Sequence, residues 1–98
     1  MEKYINKIIE VCSNAKPGQG MMFDNFGKYI LHVEKDGDFV EGTDEFNMVD
    51  IAIYEKNAII REGRCKDLLA GDEVGIHVSD LYNVLKEIAD GTRELVTL

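Results

Sequence analysis

The chain has 98 residues, 45% hydrophobic and 31% charged with a single proline, a composition that fits one ordinary folded domain spanning 1–98 and excludes a disordered polymer. Nineteen acidic residues against eleven basic give a net charge of −8, which argues against direct binding to nucleic acid or to an anionic membrane, since both are held through Lys and Arg. No apolar run approaches the roughly 20 residues of a bilayer span, Met1-Glu2-Lys3-Tyr4 opens on a charged pattern and not a secretory one, and Cys12 and Cys65 form no small disulfide framework, so a reducing, cytoplasmic setting is expected.

In chain order, the first expected element is a helix over 3–15. Ile5, Ile8, Ile9 and Cys12 recur at helical spacing on one face, with Lys3, Asn6, Lys7 and Glu10 on the other, and Pro17-Gly18 ends the run. The middle reads as a β meander. Met21 to Phe23 adds an edge strand before a turn around Asn25 to Gly27. From 28 to 34, Tyr29, Leu31 and Val33 alternate with Ile30, His32 and Glu34. Asp36-Gly37 then signals a hairpin whose return strand starts at Phe39-Val40. Val49, Ile51 and Ile53 alternate with Asp50, Ala52 and Tyr54 in a further strand, Glu55-Lys56-Asn57 turns, and 58–61 runs back. Residues 64–70 fit a short helical turn.

Helical spacing returns at Leu81, Val84, Leu85 and Ile88, with Ser79 as the expected N-cap and Gly91 as the stop. Residues 94–98 read either as a last strand or as a frayed tail. The expected fold class is α+β: an antiparallel meander of four to five strands, flanked by an N-terminal and a C-terminal amphipathic helix packed on one sheet face. The second face is then exposed or given to a partner.

Charge is the feature that bears most on function. Between Glu34 and Asp50 lie seven carboxylates (Glu34, Asp36, Asp38, Glu41, Asp44, Glu45 and Asp50) and one lysine, Lys35, a net −6 that leaves only −2 for the other 81 residues. One reading is a solvated turn region, where Asp and Gly also serve turn geometry. The other is a partner-binding surface that offers negative charges at intervals like those of a phosphate backbone and docks on a basic groove. Calcium does not fit the twelve-residue loop pattern: counted from Asp36, Glu41 stands where the glycine belongs and Asn47 where the glutamate belongs.

Gly18-Gln19-Gly20 follows a helix and lacks the Gly-Lys-Ser/Thr ending, so it reads as a helix stop and not a phosphate loop. Cys12, Cys65, His32 and His77 are the only zinc-type set, and their wide spacing argues for Cys12 as a small buried hydrophobe. No catalytic residue, metal or cofactor is expected. Cys65 with His32 or His77 lacks the spacing of a nucleophile beside its base, while His32, Asp50 and Tyr54 would share the open sheet face, as a polar pocket or as ordinary solvated positions.

In size, acidity and fold class the chain resembles phage-encoded inhibitors of host defence nucleases, anti-CRISPR proteins among them. No motif is shared, so the resemblance carries over no residue role. It implies a non-enzymatic interaction protein that occludes a basic, nucleic-acid-binding surface of a host protein. The alternative is a small-molecule or nucleotide-binding, sequestering module, with Arg61, Arg64 and Lys66 as the only basic spot along the sequence and an anionic ligand fitting only if Lys28 clusters with them. A homodimer through the Met21–Phe26 edge is a third option.

Overall fold

The computed structural model describes residues 1–36, 47–55 and 69–95. Helix α1 spans Glu2–Asn14 and buries Ile5, Ile8 and Cys12, the stripe expected from their spacing. It ends at Ala15, whose backbone is already extended two residues before Pro17. Four strands follow, β1 (Gly20–Phe26), β2 (Tyr29–Lys35), β3 (Met48–Glu55) and β4 (Leu69–His77), all antiparallel in the order β1-β2-β3-β4. A 3-10 turn at Val78–Asp80 leads into helix α2, Leu81–Asp90. The fold is α+β, with an open sheet.

Alternation decides which face is covered. Tyr29, Leu31 and Val33 from β2 and Val49, Ile51 and Ile53 from β3 are buried in one core with Ile5, Ile8 and Cys12 of α1 and Leu81, Val84, Leu85 and Ile88 of α2. Each fully buried aliphatic side chain contributes about 1.5–3 kcal/mol, so this shared face is the main source of stability. Both helices lie on it. Polar ties fix their placement: the Tyr4 hydroxyl donates to the Asp24 carbonyl, and the Tyr82 hydroxyl donates to Glu2 Oε1 at 2.8 Å.

The β1–β2 turn is Gly27-Lys28, one residue later than the glycine and asparagine signals suggest. Phe26 pairs with Tyr29 across it, and Gly27 takes φ 61° while Lys28 does not, the pattern of a type II′ hairpin. Asn25 (φ 60°) instead sits in the irregularity that shifts the register between Phe23 and Phe26.

Three expectations change. The antiparallel neighbour of β2 is β3, and the ladder continues beyond the strands through Asp36 N–H to the Met48 carbonyl at 2.9 Å. The return strand from Phe39 and the run over 58–61 lie outside the described residues. The partner of β3 is β4, a strand absent from the sequence reading, which takes in Leu69 and Ala70 from the expected helical turn. Finally, Ser79 does not cap α2. His77 precedes the 3-10 turn and its Nδ1 accepts the Ser79 N–H at 3.1 Å, with Ser79 Oγ at 2.8 Å.

Gly91 does stop α2, at φ 73° and ψ 18°, donating to Ile88 O while Thr92 donates to Glu87 O. Beyond it, Arg93 binds Glu73 of β4 and Glu87 of α2, and Leu95 rests on Gly71, where a side chain on β4 would collide with it. Residues 93–95 are therefore strapped across the covered face, neither strand nor frayed end; residues 96–98 lie outside the described residues.

Candidate functional site

The face opposite the helices carries Met22 from β1, Ile30, His32 and Glu34 from β2, Asp50, Ala52 and Tyr54 from β3, and Asp72 from β4. Met22 is 58% exposed and Val74, near the edge of β4, 62%. Of the acidic residues singled out in sequence, Glu34 and Asp50 are direct cross-strand partners here and both are exposed. The Asp36-to-Met48 bond fixes the parity of the β2–β3 ladder, which makes Glu34 and Asp50 a hydrogen-bonded pair of residues with Cα atoms about 5.5 Å apart. Asp36 continues the row, half-buried. Asp38, Glu41, Asp44 and Glu45 lie outside the described residues, as do Arg61, Arg64, Lys66 and Cys65.

The lysine of the acidic block is not on this face. Alternation sends the Lys35 side chain to the opposite side, where it is only 2% exposed and its Nζ donates to the Cys12 carbonyl at 2.8 Å, at the C-terminal end of α1. A cation is favourable at that end because the free helix carbonyls leave it partly negative. The Lys35 backbone also bonds Gly18 N–H and Gln19 O, so one residue ties β2 to the loop after α1 and to the helix end. Burial pushes the Lys35 ammonium below the ordinary lysine range, with Cys12 opposing, and burial pushes the Cys12 thiol up to about 11, with Lys35 opposing. Lys35 consequently cannot neutralise Glu34 and Asp50.

Like charges directly opposite in a sheet are destabilising, by a fraction of a kcal/mol to about 1 kcal/mol. Glu34→Gln is therefore expected to raise stability by roughly 0.2–1 kcal/mol, read as a higher urea midpoint at unchanged slope. A lower midpoint would mean that the pair is not repulsive. Asp50 has a second duty. Its Oδ1 accepts the Gly75 N–H at 2.8 Å, in a bulge of β4 where Gly75 takes φ 67°.

His32, Asp50 and Tyr54 do share the open face, as their alternation implies. Ala52 is the residue directly opposite His32, with Asp50 and Tyr54 diagonal to it, and among the described residues no hydrogen bond joins His32 to Asp50. Cys12 lies under the helices while His32 lies on the opposite face, so the two cannot hold one zinc ion. His77 Nδ1 is engaged by Ser79. Lys28 stands 5.3 Å from the Tyr29 ring centroid beside a cleft of about 150 Å³ lined by Phe26, Gly27, Tyr29, Ile88 and Gly91. That is smaller than the roughly 300–1,000 Å³ of ligand pockets. No helix among the described residues is long and apolar enough to cross a membrane.

Comparison with protein-family models, with curated proteins and with solved structures finds no match.

Proposed function

We propose that the protein is a non-enzymatic interaction module whose open sheet face binds a basic surface on another protein, such as a nucleic-acid-binding site of a host protein, and blocks it by occupying it. The observation that carries this reading is the Glu34–Asp50 pair: two carboxylates held side by side on an exposed sheet face, with the neighbouring lysine turned away into the core. A fold that needed this face only for solubility would gain stability by separating them. Asp72 extends the negative charge across β4, and Met22, Ile30 and Tyr54 supply the apolar and aromatic area that interface centres use. Asp38, Glu41, Asp44 and Glu45 add charge to the same stretch of chain. Attraction through such a patch raises association rates and weakens as salt rises.

The test is affinity capture from lysate of the producing cell's host at about 50 and about 500 mM salt, with the wild-type chain and a Glu34→Lys/Asp72→Lys variant. Asp50 is left intact because it holds the bulge of β4. The expected result is a partner captured at low salt, released at high salt, and lost with the variant. Capture that both treatments leave unchanged would exclude the acidic face as the binding surface.

A further inference from the structure

The hydrogen-bond parity of β1 says how such a partner would dock. Lys35 N–H donates to Gln19 O at 2.9 Å, which makes Gln19 and Lys35 a hydrogen-bonded pair in the β1–β2 register. In an antiparallel ladder such pairs recur every second residue, so Met21 with Val33 and Phe23 with Leu31 are the next two. The backbone groups of Gly20, Met22 and Asp24 then point the other way, out of the sheet, and among the described residues β1 is an edge strand. The Asp24 carbonyl is taken by the Tyr4 hydroxyl, which closes that end of the edge. What remains is a short row from Gly20 to the Asp24 N–H, a template for one more strand.

The side chains on the open face beside this row select the strand. Gly20 has none, and the His32 ring of β2 leans over it, its Nε2 3.1 Å from where a Cβ would stand, beside Glu34, the partner of Gly20 on β2. A strand added to β1 would lie two strand spacings from Glu34, about 10 Å. A lysine or arginine opposite Gly20 would lie along the His32 ring, with Glu34 as the nearest carboxylate. Opposite the exposed Met22 an apolar residue packs, and opposite Asp24 a second cation pairs. A second copy of this chain fits badly: antiparallel pairing about Met22 would set the copy's Asp24 opposite Gly20, bringing a carboxylate toward Glu34.

We propose that the partner adds an extended segment antiparallel to β1, with the pattern basic-x-apolar-x-basic opposite Gly20, Met22 and Asp24. This deepens the reading above and rests on it for the choice of a basic partner. The experiment titrates the full ¹⁵N-labelled chain with a capped peptide, Thr-Lys-Thr-Val-Thr-Lys-Thr, with its Glu-for-Lys counterpart, and with the Lys peptide N-methylated at valine, whose N–H would bond Met22 O.

Expected are saturable shifts of the Gly20, Met22 and Asp24 amides with the Lys peptide, and binding at least about tenfold weaker with either control. Met22→Pro, which removes an N–H that β2 does not use, should abolish binding by the Lys peptide while the chain stays folded. If the Lys and N-methylated peptides bind equally and shift only Glu34, Asp50 and Asp72, strand addition is overturned while the acidic-face reading stands. If the Lys and Glu peptides bind alike, the basic-partner premise falls and both are overturned. Concentration-dependent shifts at Gly20 and Met22 without peptide would make a second copy the occupant and overturn the choice made here.

Discussion

Lys35→Ala is expected to lower stability by about 2–4 kcal/mol, the range of large-to-small substitutions at fully buried positions. The loss has two parts. Truncation opens space between β2 and the end of α1, and it leaves the Cys12 carbonyl with only the 3.3 Å bond from Ala15 N–H. Lys35→Met separates them, because methionine keeps most of the apolar stem and lacks the ammonium. Most of the loss should return with methionine, and urea denaturation of the three proteins measures each part. The two replacements will also differ with pH. The folded pKa of Lys35 is depressed by burial, so the unfolded chain binds its proton more readily. Stability linked to this group is full above the unfolded value of 10.5 and is lost as pH falls through the lowered one. Relative to wild type, Lys35→Met should therefore do better at neutral pH than near 10.5.

Cys12 produces the opposite slope over an overlapping range. Its thiol is held up to about 11 against an ordinary 9.0, chiefly by burial. A raised folded pKa means that the stabilisation is complete below 9.0 and is lost as pH rises toward 11, because the unfolded chain ionises first. Two units correspond to about 2–3 kcal/mol. The other alkaline groups are common to both proteins, and of these Lys35 is the one that Cys12 itself opposes, so the difference between wild type and Cys12→Ala reports the thiol together with its coupling to Lys35. That difference should shrink by about 2–3 kcal/mol between pH 9 and 11. A difference that stays constant over the interval would show that the Cys12 environment does not disfavour the thiolate.

Legibility in the sequence followed the strength of the periodic signal. The stripes Ile5, Ile8, Cys12 and Leu81, Val84, Leu85, Ile88 located both helices, and the alternation in β2 and β3 assigned the covered and open faces correctly. β4 stayed hidden because Leu69–His77 holds two glycines and adjacent Asp72-Glu73, and its bulges break the two-residue period on which strand recognition depends. The N-terminus of α2 was misread because a serine at the expected position outweighed the histidine two residues earlier, whose ring nitrogen serves as the acceptor. For the candidate site, the acidic block was visible as charge, but the pairing of Glu34 with Asp50 depends on a register between segments 16 residues apart. No composition count contains that register. Lys35 was legible only as part of the charge balance. Its parity with Leu31 and Val33 points it inward, a signal available in the alternation itself although lysine is rarely buried.

That inward turn changes how the charge is used. With Lys35 beneath the sheet, the acidic block has no cation from its own strand on the open face, and a partner's lysines and arginines can supply what is missing. The edge at Gly20 and Met22 offers the backbone groups to orient it. The most direct measurement is to add the captured partner to the ¹⁵N-labelled chain and record which amides move. Binding through the open face should shift Met22, His32, Glu34, Asp50, Ala52 and Asp72, and leave the solvent-facing residues of α1 and α2, such as Lys7 and Lys86, in place. Shifts confined to the outer surfaces of the two helices would contradict it.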